Sequence, residues 1–211
     1  MKRIAAYALT IALVGLIVAP AHAQYVQEQR AGITLGGTYS QLTDEWTASS
    51  EFEWGFIGGG FFEWQYHPNL SGQIEINYAQ RGGSGTRTGV PADTFDIKLA
   101  YLAFPLTLNA MIPVSQTIDL RGTFGFSFAL SLSCKAGIDG GDRETCGTTF
   151  PGLEKESIEW ALPLGAGIGF KFGKNKVELD ARYHWGLSNV LKTAVVKNRS
   201  WEFMVRLAQS F

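Results

Sequence analysis

From Ile118 onward, one side chain in two is apolar. Ile118, Leu120, Phe124, Phe126, Phe128, Leu130 and Leu132 alternate with Asp119, Arg121, Thr123, Ser127 and Ser131. Successive side chains of a strand point to opposite faces, so this period of two reads as one long two-faced strand. A second run sets Ile158, Trp160, Leu162, Leu164, Ile168, Phe170 and Phe172 against Glu159, Gly165, Gly167, Gly169 and Lys171. Shorter runs follow the same rule over Ile33–Ser40, Ile74–Arg81, Val177–Leu187 and Trp201–Leu207, and over Trp54–Tyr66 with a polar face made impure by Ile57 and Phe61. Only Phe95–Ala110 breaks parity: Ile97 and Leu99 are odd, whereas Leu102, Phe104, Leu106 and Leu108 are even. A β-bulge near Ala100 would reconcile the two halves. These are eight strands. Short connections (His67–Asn69, Met111–Gln116, Gly173–Asn175) alternate with long ones (Gln41–Glu53, Gly82–Thr94, Ser133–Ser157, Ser188–Asn198). That layout predicts an all-β, eight-stranded, antiparallel, up-and-down transmembrane barrel.

Alternation alone does not say which face is outside, and a soluble barrel would turn the apolar face inward. Three features place lipid outside. The polar face is rich in Gly, Ala, Ser and Thr, as suits a narrow, packed lumen. Its charges are mixed: Glu63, Glu75, Asp119, Glu159, Glu178, Asp180 and Glu202 against Arg81, Arg121, Lys171, Arg182 and Arg206, with His184 beside them. Buried charges must be paired, and near balance permits it. Aromatic residues also bracket the apolar face. Trp54 and Trp64, Trp160 and Phe170, and Trp201 and Phe211 are spaced to rise about 23 Å in tilted strands, close to the ~25 Å apolar band of such barrels. Tyr66 and Trp185 complete the expected girdle.

The first residues carry a further signal. Met1-Lys2-Arg3 is basic, the stretch to Ala19 is apolar, and Ala21-His22-Ala23 offers a small-residue cleavage site. This order predicts a signal peptide over 1–23 and a barrel domain over 24–211; a retained anchor is the alternative. Two cysteines in an exported chain, Cys134 and Cys146, predict one disulfide, against two unpaired thiols. Charged residues make up 18%, below the usual ~25%. The net charge of −1 argues against a nucleic-acid partner.

Tyr101-Leu102-Ala103-Phe104-Pro105-Leu106 resembles the Tyr-Leu-x-Ile-Pro-Leu strand of the PorT-like outer-membrane β-barrel proteins common in Bacteroidetes and their relatives. Asn77–Gly82 resembles their Tyr-Ser-Gln-Lys-Gly strand end, and Asp180–Asn189 their Arg-Tyr-x-x-Gly-Leu-x-Asn segment. The resemblance runs from about Gly32 to Phe211, with Ala103 standing where the family often carries a polar or acidic residue. It implies an eight-stranded barrel in the cell outer membrane, of Gram-negative type, and no single shared activity.

Chemistry is thin. His184 with Asp180 could activate water, yet these positions share one crowded face, where ion pairs are expected anyway. Asp139, Asp142 and Glu144 fit no defined Ca²⁺ loop. The expectation is therefore no enzyme, no metal and no cofactor. The expected partners are outer-membrane lipid, the barrel-assembly machinery through the C-terminal strand ending at Phe211, and a partner met by the surface loops, where Trp46 is a candidate anchor or, equally, a membrane-interface residue. A narrow channel or export component is the competing function.

Overall fold

The structure is a computed structural model describing residues 28–44, 47–87, 94–138, 141–146, 154–192 and 195–211. The expected signal peptide, Trp46 and Asp139 lie outside the described residues. Among the described residues ten strands follow one another: β1 (Gln29–Asp44), β2 (Thr47–Glu51), β3 (Glu53–His67), β4 (Leu70–Arg87), β5 (Thr94–Pro113), β6 (Ile118–Ile138), β7 (Glu144–Thr145), β8 (Ile158–Phe172), β9 (Asn175–Gly186) and β10 (Val196–Ser210). Eight of them close a ring in the order β4-β3-β1-β10-β9-β8-β6-β5, with β5 returning to β4. β2 and β7 are short additions to β4 and β6. Every pairing is antiparallel, and the β5–β4 pairing makes the ring continuous.

Three tight turns lie at one end: Pro68–Asn69, Val114–Thr117 and Gly173–Lys174. Gly173 sits at φ +62°, a left-handed conformation that glycine adopts without steric cost. The longer connections are at the opposite, extracellular end. There the strands run further than the alternation suggested, β4 to Arg87 and β6 to Ile138. The β4 extension from Gly82 is Gly- and Ser-rich and carries no polarity contrast to read, whereas in the β6 extension Cys134 and Ala136 are buried and Lys135 is exposed.

The distribution of polarity is inverted. Ile33, Leu35, Phe124, Leu164 and Val205 point away from the barrel and are each at least 40% exposed. Arg182, Arg206, Glu75 and Glu178 face inward and are buried. Only surrounding hydrocarbon makes such a wall favourable, because large exposed apolar surfaces are rare on soluble monomers. Tyr39, Trp54, Trp201 and Tyr183 form a continuous aromatic row over four strands. Trp64, Tyr66, Phe62 and Phe211 cluster at the other rim.

The parity break resolves differently from expectation. Ala100 pairs with Ser133 and Tyr101 with Ser131, so the extra residue, Leu132, belongs to β6. β5 keeps its parity throughout, and Ile97, Leu99 and Tyr101 all face inward. They meet Leu42, Cys134, Ala136, Val190, Leu191 and Val196 in an apolar cap that fills the extracellular end of the lumen. Cys134 and Cys146 form a disulfide beside that cap.

Candidate functional site

The interior row of each strand contributes ions to one lumen, and the ring order decides which of them meet. β4 and β9 are four strands apart in either direction, hence diametrically opposed. Arg182 of β9 nevertheless donates from Nη2 to Glu75 Oε1 of β4 at 2.9 Å. Gln73 and Asn77 hold the same carboxylate at 2.6 and 2.7 Å. This network spans the lumen's full width.

Below it, Arg121 of β6 reaches Glu63 of β3 at 3.1 Å and Glu178 of β9 at 2.7 Å. Lys176 bridges Glu178 and Asp119, at 2.7 and 3.0 Å. Arg206 takes Asp180 at 2.5 Å and lies over the Phe61 ring. Above the central pair, Arg81 of β4 binds Glu202 of β10 at 2.9 Å and Glu159 of β8 at 3.2 Å. Among the described residues, seven buried acids (Glu63, Glu75, Asp119, Glu159, Glu178, Asp180, Glu202) face six buried bases (Arg30, Arg81, Arg121, Lys176, Arg182, Arg206). Lys171, on Asp119 at 3.2 Å, supplies the seventh positive charge.

β8 makes room for this packing. A Cβ on Gly167 would come within 1.9 Å of an Asp180 carboxylate oxygen, and one on Gly169 within 2.5 Å of Asp119 Oδ1 and Lys176 Cε. The alternate glycines are thus the volume into which β9 and β6 place their ions.

Most sequence-assigned lumen residues lie on the inner face. Glu63, Glu75, Arg81, Asp119, Arg121, Glu159, Glu178, Asp180, Arg182, His184, Glu202 and Arg206 are buried. Lys171 differs: its side chain is 39% exposed at the periplasmic rim, because it sits at the β8–β9 turn, and buried Lys176 takes the inner position. Arg30 carries no signal in the alternation, since it precedes the first apolar run, although Glu63 binds it at 3.4 Å. Asp180 and His184 do not meet. Asp180 is committed to Arg206, and His184 Nδ1 stands 3.2 Å from Arg81. Asp142 and Glu144 are exposed. No group of three potential metal ligands occurs among the described residues.

At the periplasmic end, Glu28 binds Arg30 at 2.5 Å and accepts a hydrogen bond from Ser210, clasping β1 to β10. Partial burial alone would raise the Glu28 carboxyl. Ser210 and Arg30 outweigh it and hold the group below its ordinary 4.5. A depressed carboxylate stabilises the fold above its unfolded pKa, and that increment disappears as pH falls through the folded value. Wild type is therefore expected to lose at most about 1 kcal/mol below pH ~4.5 that Glu28→Gln lacks at every pH. Acid-unfolding curves of equal steepness for both proteins would refute the clasp.

A family model of the outer membrane protein beta-barrel domain matches residues 23–192. Among solved structures, Neisserial surface protein A is 12% identical with a TM-score of 0.51, over 87% of this chain and 97% of that one. OprG from Pseudomonas aeruginosa is 13% identical with a TM-score of 0.49, over 88% and 95%. Ail from Yersinia pestis, in a complex with a heparin analogue, is 16% identical with a TM-score of 0.43, over 86% and 99%. A search of the curated proteins found no match. With a family match over most of its length and a closed eight-stranded ring turned apolar side out, this chain belongs to the outer membrane protein beta-barrel domain family and resides in the outer membrane.

Proposed function

We propose that this barrel is a non-catalytic, non-conducting membrane scaffold whose extracellular loops meet a surface partner. The observation that carries the reading is the Arg182–Glu75 bond, which joins opposite walls of the lumen. Arg81 and Arg121 add bonds between strands three places apart in the ring. An eight-stranded interior has room only for such packed side chains. Above them the apolar cap draws Val190 and Leu191, from the connection after β9, into the mouth. A solute would have to break several buried ion pairs and displace that cap. What the scaffold leaves free is the loop end, and loops on rigid scaffolds commonly carry recognition.

The three motifs described above support a finer placement among PorT-like barrels. Tyr101 of the first motif lies against the Arg81 guanidinium of the second, 5.6 Å from ring centroid to Arg81 Cζ. Assembly through the C-terminal strand is supported by the role of β10 in closing the ring on β1.

Planar-bilayer recording on the purified chain tests the main reading. The expected result is an unchanged membrane current. Steady unitary currents from pure protein would overturn it and establish the narrow channel instead.

A further inference from the structure

The outer wall carries a feature that a plain lipid-facing sheet does not need. β3 pairs with β4 only as far as Ile57 and Ala79, and β2 joins β4 only from Glu51 and Ser84. Between those points, Gln80–Gly83 has no strand partner on that side. Its backbone bonds turn to β1 instead: Thr38 donates to the Gln80 carbonyl, and the Gly82 N–H donates to Ser40 Oγ at 2.7 Å. The gap opens into a groove of about 820 Å³ near the extracellular rim. Trp54 and Tyr78 line it from β3 and β4, and Ser133, Lys135, Asp142 and Arg143 line it from the other side.

Two lysines stand directly opposite each other in this groove, Lys98 on β5 and Lys135 on β6. Both point outward, because Leu99, Cys134 and Ala136 take the lumen face. Like charges facing each other across a strand pair are destabilising. Relief from within the chain is partial, although Glu53, Asp96 and Asp142 all line the groove. Lys98 has Glu53 at 3.7 Å, Arg143 is tied to Asp96, and no carboxylate among the described residues pairs with Lys135. The bulge at Leu132 creates the arrangement. With unbroken alternation from Ile118, Lys135 would face the lumen; the extra residue turns it out toward Lys98.

Height on the wall identifies the occupant. On the outer face Leu102 and Leu130 form the last apolar cross-strand pair, with exposed Leu132 just beyond. Lys98 lies four residues further on, ~13 Å along the strand, level with lipid headgroups rather than acyl chains. Trp54, at the groove's edge, belongs to the aromatic row that marks this interface.

We propose that the groove binds the phosphate-bearing headgroup of an outer-leaflet lipid, with a phosphate between the Lys98 and Lys135 ammonium groups and the acyl chains against Ile76, Leu102 and Leu130. Lysine is a point-charge phosphate ligand, and one anion between two cations converts their repulsion into attraction. The assignment rests on the wall's outer face and is independent of whether the lumen conducts.

The full chain, folded in detergent, is titrated with diphosphoryl lipid A, with the same lipid dephosphorylated, and with inorganic phosphate, each read by native mass spectrometry. Retention of the phosphorylated lipid is expected to exceed that of the dephosphorylated form by about tenfold, and Lys98→Ala/Lys135→Ala to lose about the same factor. Lys98→Arg/Lys135→Arg is expected to keep binding. Heat-modified gel mobility reports whether each variant has folded; if the alanine pair does not fold, the comparison of the two lipids on wild type decides. Equal retention of the two lipids overturns the proposal, as does undiminished binding by the folded alanine pair. Inorganic phosphate binding as tightly as the lipid overturns it in favour of a soluble anion.

Discussion

Arg182→Met is expected to cost the barrel about 3–5 kcal/mol, the range for removing one partner of a buried ion pair. Arg182 and Glu75 are each 1% exposed, and among the described residues Arg182 is the one cation in direct contact with the Glu75 carboxylate. After substitution, the carboxylate keeps only the amides of Gln73 and Asn77. Arg121→Met is expected to cost less, although Arg121 has two acidic partners. Glu63 retains Arg30, and Glu178 retains Lys176 at 2.7 Å and Arg206 at 3.7 Å. Adding Glu75→Gln to Arg182→Met removes the stranded charge and is expected to restore most of the loss, because exchanging both members of a buried pair is often near neutral. Denaturant unfolding of the three variants, followed by tryptophan fluorescence in one detergent, ranks them. Equal losses at Arg121 and Arg182, or no recovery in the double variant, would show that lumen stability does not follow these pairings.

The sequence discloses the barrel and most of its interior for one reason: across a membrane wall, alternation in polarity reports directly on facing. Glu63, Glu75, Asp119 and Arg182 could be read because each lies between apolar neighbours of fixed parity. Lys176 shares parity with Glu178 and Asp180 and was within reach of the same rule. Its position at the turn, close to Lys171, hid it. Ile97, Leu99 and Tyr101 could not be read this way. The rule equates apolar with lipid-facing, whereas these side chains face inward and fill the extracellular end of the lumen. Val190 and Leu191 come from a connection with no periodicity, so the lower half of the plug was visible in the sequence and the cap was not. The cross-lumen partners were hidden too, because they depend on ring order and stagger. Nothing in the spacing of Glu75 and Arg182 says that they meet across a diameter.

The location of the irregularity makes the second large prediction. Deleting Leu132 is expected to be tolerated, with a loss below about 1 kcal/mol, the scale of changes away from core and buried polar groups. The pairs Tyr101–Ser131, Ala100–Ser133 and Leu99–Cys134 are all kept, and the deletion merely makes β6 regular. Cys134 still faces inward, so the disulfide still forms. Deleting Leu102 is expected to abolish the folded, heat-modifiable band. β5 has no spare residue, so everything on the Phe95–Tyr101 side reverses. Ile97, Leu99 and Tyr101 leave the cap for the outer wall, while Asp96 and Lys98 enter it. Moving the Lys98 ammonium among Leu42, Val190 and Leu191 costs several kcal/mol without a partner. Arg81 also loses the ring beneath it. Had the irregularity belonged to β5, as the parity break alone suggested, the outcomes would be exchanged. A folded Leu102 deletion beside an unfolded Leu132 deletion would therefore return the bulge to β5 and dismantle the apolar cap.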